Sequence, residues 1–320
     1  MIFNKGIVNI RVIAPAASLA NLAESNRELA ETRLKALGFK VSFGQHAFER
    51  DMFGSSSVQS RVKDLHDAFQ DPDIDLVMAA FGGANSNELL PYIDYDLIKN
   101  NKKIFCGFSD ITALQNALLK KSELINLYGP CFSHFAMQQG FDYIEQAFMN
   151  IVKNKRREFD IIDSHEWSDD KWHKNQDDRH FMQNPGRVVL YPGQAEGEIG
   201  GGNIGTLPLL FGTPYMPGLA NKILFLEDDG MSIDLFKRNF VSLSQQPDFD
   251  KVKGIVLGRF RNNSDFSVDG LREFFNNHVK LGQIPVITGL DFGHTMPYFV
   301  FPIGGKAYID TEKNMIKISL

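Results

Sequence analysis

An α/β fold in two domains is what this sequence predicts: an N-terminal domain on a parallel sheet and a C-terminal α+β domain rich in strands. Three observations carry that expectation. Over the first 130 residues, short apolar runs alternate with amphipathic stretches of helical period, which is the rhythm of βαβ units and a parallel sheet. After about residue 150 a polar, charged and poorly periodic stretch breaks that rhythm. From about residue 187 the chain turns strand-rich and glycine-rich. A length of 320 residues suits about two domains, divided as 1–150, a polar linker or active-site loop at 151–186, and 187–320.

Taken in order, NIRVIAPA at 9–16 is a buried strand, and NRELAETRLKALG at 26–38 an amphipathic helix stopped by glycine. KVSFGQ is a second strand, SSVQSRVKDLHDAFQ a helix opened by serines, and IDLVMAAF at 74–81 a third strand running into GGANSNELLPYI. KKIFCGF is the next strand, followed by a helix that starts at Asp110. A sheet of this kind is flavodoxin- or amidotransferase-like, and ligands sit at the carboxyl ends of its strands, where Gly82, Gly83 and Ser109 fall. In the second half, RVVLYPG, GEIGGGNIGTLPLLFG, KILFLEDDG, VKGIVLGRF, IPVITGLDFGH and KAYIDTEKNMIKISL read as strands with their turns. IDLFKRNFVSLSQQ and VDGLREFFNNHVKLG read as helices.

Composition excludes several classes of function. With 43% apolar and 23% charged residues, a net charge of −5 and scattered Lys and Arg, the chain is an ordinary globular protein without a phosphate-backbone partner. No window reaches the ~18 apolar residues of a membrane span, and the start, MIFNKGIVNIRVIAPAASL, lacks a leader pattern. A cytoplasmic protein with neither nucleic acid nor membrane as partner is expected. Two cysteines, Cys106 and Cys131, fit a reducing compartment and buried packing. Cys106 lies inside an apolar strand, which argues against a nucleophilic role.

Residues 104–119, IFCGFSDITALQNALL, read as strand, sharp turn and helix, with Ser109 on the turn. Gly107, two residues earlier, lets the chain bend, and the helix start directs free N–H groups and the positive dipole end at whatever Ser109 attacks. The run G-F-S-D-I lacks the second glycine of the G-x-S-x-G elbow. Its other reading is a serine capping a helix.

A serine nucleophile needs a base, and the base needs a group to orient it. Of eight histidines, His46, His66, His134 and His278 fall on helices or strand edges with polar neighbours, whereas His294 follows an apolar strand on a tight loop between Gly293 and Pro297. Glu227 ends the apolar run KILFLE; Asp228 and Asp229 compete with it, and the whole acidic cluster also reads as a cap for the helix that follows. His165, His173 and His180 lie near Asp169, Asp170, Asp177 and Asp178 without compact ligand spacing, so no metal is expected. The GGGN run at 200–203 lacks the Lys-Ser/Thr pair of a phosphate loop, and no nucleotide cofactor is expected. These glycines read as lining the cleft beside the nucleophile.

FGGANSNELLPYIDYDLI, KIFCGFSDITALQNAL and YGP resemble the N-terminal half of the LD-carboxypeptidase serine peptidases, a family that includes the microcin C self-immunity proteins. GGGNIGTLPLLFGTPY, ILFLEDD, GIVLGRF and DFGHTMP resemble its C-terminal half in the same order, so the likeness spans nearly the whole chain. The resemblance implies a catalytic triad of Ser109, Glu227 and His294 in an interdomain cleft, with oxyanion donors from the backbone N–H groups of Gly83 and Asp110. It implies no cofactor, a homodimer, and substrate contacts from Asn85, Gly202 and Asn203. SHEWSDDKW resembles the tryptophan-bearing loop of the microcin-immunity branch, which makes Trp167, then Trp172, candidates to stack on a nucleobase. Either ring also reads as a plug pinning its loop.

The function this implies is hydrolysis of an amide next to a terminal D-amino acid in murein-type tetrapeptides through an acyl-enzyme. The first rival shares fold and triad but acts on aminoacyl nucleotides or aminoacyl sulfamoyl adenylates. The second is a two-domain protein that holds a small ligand without reacting.

Overall fold

The structure is a computed structural model that describes Gly6 and residues 8–153, 157–261 and 266–320. Residues 1–5 and 7 of the start inspected for a leader, and 154–156 of the polar stretch, lie outside the described residues. The chain forms two compact units, Met1–Arg156 and Arg157–Leu320.

In the N-terminal unit, β1 (Asn9–Ile13), β2 (Lys40–Phe43), β3 (Leu76–Ala79), β4 (Ile104–Gly107) and β5 (Asn126–Tyr128) are all parallel to their neighbours, in the order β2-β1-β3-β4-β5. That is the flavodoxin-like doubly wound order, whose ligand crevice opens beyond the carboxyl ends of β1 and β3. The crossovers carry α1 (Glu24–Ala36), α2 (Val58–Gln70), α3 (Tyr95–Asn100) and α4 (Thr112–Ser122), and α5 (Asp142–Lys153) follows β5. Strands β3 and β4 are fully buried, as continuous apolar runs in a sheet covered on both faces must be. Helix α1 buries Ala30 and Leu34, one turn apart, and stops at Gly38 with φ +84°; there the Phe39 N–H donates to the Leu34 carbonyl. Helix α2 is capped by Ser57, whose hydroxyl accepts the Ser60 N–H at 3.1 Å, and it buries Val62, Leu65 and Phe69. Each of these buried side chains contributes ~1.5–3 kcal/mol.

In the C-terminal unit, the stretch read as a polar linker contributes β6 (Glu158–Asp160) and a two-stranded ribbon of β7 (Glu166–Trp167) and β8 (Met182–Gln183). Then come β9 (Val188–Tyr191), β10 (Gln194–Asn203), β11 (Lys222–Glu227), α6 (Ile233–Ser244), β12 (Gly254–Gly258), α7 (Val268–His278), β13 (Val286–Leu290), β14 (Phe301–Ile303), β15 (Lys306–Asp310) and β16 (Met315–Ser319). One sheet has the order β6-β16-β15-β10-β11-β12-β13-β9. Its centre, β10 to β13, is parallel, and the flanking strands are antiparallel. The parallel centre matters for function because Asn203, Glu227 and Gly258 all end strands on the same edge. Among the described residues no helix is long and apolar enough to cross a membrane.

Candidate active site

In the N-terminal unit, Ser109 follows β4 with φ +64°, the left-handed region that a non-glycine residue occupies at a cost of ~1–3 kcal/mol. The strained turn is what sequence reading took for an elbow. The helix does not start directly at Asp110: Ser109–Ile111 is a 3₁₀ turn that leads into α4 at Thr112, and its N-cap, Phe108, makes no side-chain capping bond. Ser109 therefore occupies a bent turn and not a capping position. Two glycines make room for it. A Cβ on Gly107 would lie 2.5 Å from Ile111 Cγ2, and one on Gly82 would lie 3.0 Å from Ser109 Cβ and 3.2 Å from its Oγ. The Ser109 N–H donates to the Tyr128 hydroxyl at 3.2 Å, a contact from the end of β5 that nothing in the spacing of the sequence foretells.

Gly83 packs where a Cβ would meet Ala16 Cβ and Ala17 N, each at 3.0 Å, so the turn after β3 rests on the loop after β1. Neither the Gly83 N–H nor the Asp110 N–H has a hydrogen-bond acceptor among the described residues. Unspent donors beside a serine are what an oxyanion requires. The Asp110 carboxylate is buried and accepts the N–H groups of Asn85 at 3.1 Å and Ser86 at 2.9 Å. Burial raises its pKa, and the Ser86 and Asn85 bonds with the Arg61 charge oppose that rise.

In the C-terminal unit, Glu227 and His294 meet. Glu227 ends β11 with its side chain 1% exposed, and its Oε2 lies 2.7 Å from Nδ1 of His294, whose side chain is 19% exposed. Burial pulls the imidazole pKa down, but the Glu227 charge and hydrogen bond outweigh it, and the result is raised. The other carboxylate oxygen accepts from Asn203 Nδ2 at 2.9 Å. Asn203 is the register partner of Glu227 on β10, and its own Oδ1 accepts the N–H groups of Gly205 at 2.9 Å and Thr206 at 3.0 Å. Asn203, expected among substrate contacts, also donates from its amide to Glu227 and so helps orient it. Gly293, with φ +109°, brings the histidine loop onto the glutamate: a Cβ there would lie 2.9 Å from Glu227 Oε2. Asp228 is not the partner of the imidazole. It accepts the Gly230 and Met231 N–H groups at 2.8 and 2.9 Å, and burial raises it to about 6.

Gly202, with φ +116°, is buried in β10, and at neighbouring Gly201 a Cβ would lie 2.3 Å from the Phe225 carbonyl oxygen, so Gly201 serves close strand packing. Trp167 is 6% exposed, with the Arg259 guanidinium 5.0 Å from its ring centroid. Arg259 donates to Asp291 at 2.9 Å and Asn184 at 2.6 Å, while Ser168 and Met296 exchange two backbone bonds of 2.7 Å. The ribbon carrying Trp167 is thereby fastened to the loop carrying His294. Trp172 is also buried, edge-on to His173. Cys106 and Cys131 are buried free thiols, their pKa values raised by burial, that of Cys131 to about 12, which removes both as thiolate nucleophiles. Among the described residues no cluster of three or more His, Cys, Asp or Glu side chains could hold a metal.

Residues 10–129 match the LD-carboxypeptidase N-terminal domain and residues 196–309 the LD-carboxypeptidase C-terminal domain. A crystal structure of an MccF-like protein from Bacillus anthracis str. Ames is similar with a TM-score of 0.95 and 45% identity, covering 98% of this chain and 97% of that one. The microcin C7 self-immunity protein MccF of Escherichia coli is 33% identical over 89% of this chain and 86% of its own length. Its structure in complex with aspartyl sulfamoyl adenosine has a TM-score of 0.89 at 30% identity, covering 98% of this chain and 96% of that one. The murein tetrapeptide carboxypeptidase of Pseudomonas aeruginosa is 26% identical over 95% of this chain and 94% of its own length. On these matches, which together span both halves of the sequence, the chain belongs to the LD-carboxypeptidase family of serine peptidases.

Proposed function

We propose that the protein is a serine hydrolase in which Ser109 is the nucleophile, His294 its base and Glu227 the residue that orients that base. The observation that carries this reading is the left-handed Ser109 beside two unspent backbone N–H groups. His294 takes the hydroxyl proton, Oγ bonds to the scissile carbonyl carbon, and the resulting oxyanion accepts from the N–H groups of Gly83 and Asp110. Collapse breaks the C–N bond, and the leaving amine takes the proton from His294. Water, deprotonated by the same imidazole, then releases the acyl group from Ser109. Glu227 holds the Nδ1–H tautomer throughout, which leaves Nε2 as the acceptor.

The substrate in this reading is an amide next to a terminal D-amino acid in a murein-type tetrapeptide. A second reading, cleavage of an aminoacyl nucleotide or aminoacyl sulfamoyl adenylate, is favoured by one finding: the relative of known nucleotide ligands is 33% identical and the murein enzyme 26%. In it Trp167, with Arg259 on one ring face, is the candidate base platform. Both substrates are tested side by side with the wild type, Ser109→Ala and Trp167→Ala. Ser109→Ala turning over either at the wild-type rate refutes the nucleophile. Loss on Trp167→Ala confined to the sulfamoyl adenosine supports the second reading, and cleavage of the tetrapeptide alone by the wild type refutes it.

A further inference from the structure

We propose that the Asp110 side chain is a positioning group that sets the spacing of the two oxyanion donors, fastening the turn that carries Gly83 to the residue whose own N–H is the other donor. This rests on the Ser109 reading above. The turn after β3 is irregular from Gly82 to Asn85, with no strand partner to fix it. Its Gly82 carbonyl accepts the Ala17 N–H at 3.1 Å, and on the far side of Gly83 it is held by three bonds to one residue: Asn85 N–H and Ser86 N–H to Asp110 Oδ2 at 3.1 and 2.9 Å, and Ser86 Oγ to the Asp110 carbonyl at 2.7 Å. Asp110 and Ser86 are buried and Asn85 is half-buried, so water competes little for the Ser86 bonds. Arg61 closes the arrangement from behind. Its side chain, 2% exposed, donates to the Asn85 carbonyl at 3.1 Å and the Pro15 carbonyl at 3.3 Å and is ion-paired with Glu88.

Geometry makes this more than a structural fastening. Asp110 stands one residue after the serine, and Asn85 and Ser86 two and three residues after Gly83, so each bond joins segments that are within three residues of a donor. An oxyanion hole works through donors fixed beforehand, and a shift of a fraction of an ångström in one of them is felt in the transition state and not in ground-state binding. A purely structural role, capping the 3₁₀ turn Ser86–Tyr92 from outside, would move stability alone.

The test is the second-order rate at which a fluorophosphonate labels Ser109 in the full chain, read by intact mass. In that reaction the Ser109 Oγ–P bond forms, the P–F bond breaks, fluoride leaves and the hydroxyl proton passes to the base, while the phosphoryl oxygen occupies the oxyanion position. Asp110→Ala is expected to label about 10- to 100-fold more slowly. Asp110→Asn, whose amide oxygen can accept the same two N–H groups, is expected within about fivefold of wild type. Ser86→Ala, which deletes one bond, falls between them, and the order of rates does not follow the order of melting temperatures. Folded Asp110→Ala labelled at the wild-type rate, or Asp110→Asn as slow as Asp110→Ala, overturns the proposal and leaves Ser109 in place. If Asp110→Ala does not fold, Asp110→Asn labelled more than about tenfold more slowly than wild type overturns it. A wild type that is not labelled at Ser109, with Ser109→Ala still active, removes the nucleophile and this role together.

Discussion

Replacing Glu227 by glutamine changes one atom of a buried carboxylate, and the surrounding bonds dictate which way the new amide points. Asn203 Oδ1 is held by the backbone N–H groups of Gly205 and Thr206, so Asn203 cannot turn its oxygen toward residue 227 and must keep presenting Nδ2. In Glu227→Gln the amide oxygen therefore faces Asn203 and the NH₂ faces His294 Nδ1. An imidazole that accepts at Nδ1 carries its proton on Nε2, the tautomer that cannot act as base. A tautomer error of this kind in a serine triad lowers kcat by about 10⁴-fold, equivalent to about 5.5 kcal/mol of barrier. The acid limb of kcat should move to lower pH as well, since the Glu227 charge is what lifts the imidazole against burial. Steady-state kinetics from pH 5 to 9 on whichever of the two substrates the wild type cleaves reads both effects, with melting curves to verify the fold. A second change sharpens the test. Asn203→Asp added to Glu227→Gln lets residue 203 accept from the glutamine NH₂, returns the amide oxygen to Nδ1–H and should recover about 10- to 100-fold of the loss. Glu227→Gln within tenfold of wild-type kcat, or a double variant no better than the single one, refutes the argument.

Three further outcomes follow from the same geometry. Gly293→Ala puts a methyl group 2.9 Å from Glu227 Oε2 at φ +109°, so we expect a loss of ~1–3 kcal/mol in urea unfolding and a fall in kcat larger than any change in KM. Asp228 rises from 3.8 to about 6 on folding, so the folded state keeps its proton where the unfolded state has lost it, and stability falls as pH rises through that window. Asp228→Asn, whose oxygen can still accept from Gly230 and Met231, should be more stable than wild type by up to about 3 kcal/mol at pH 7 and equal to it near pH 3.5; equal stability at both values would contradict this. Arg259→Met strands the buried Asp291 carboxylate and uncovers Trp167, and a destabilisation of about 3–5 kcal/mol is expected; a change below 1 kcal/mol would show that the ribbon is held by other contacts.

Much of the fold was legible in the sequence because its elements are set by local periodicity. The apolar runs of β3 and β4, the Ser57 cap of α2 and the Gly38 stop of α1 each have a cause within a few residues. The polar stretch after residue 150 was the exception: β6 and the ribbon of β7 and β8 are short and half polar, and they take their form from the strands and loop they pair with, not from their own pattern.

By itself the sequence determined that a serine sits on a turn between an apolar strand and a helix, that a glutamate ends one later strand, and that a histidine follows another on a glycine-flanked loop. The resemblance named Glu227 and His294 together, but only the tertiary structure decided that Asp228 turns instead to Gly230 and Met231; that Asn203 orients the glutamate; that Ser109 bends into the left-handed region; and that Asp110 reaches back to Asn85 and Ser86. The reason is range. A strand or a cap is fixed by neighbours within one or two turns, whereas which carboxylate oxygen faces which donor depends on strands paired across tens of residues and on glycines that let two backbones approach within contact distance.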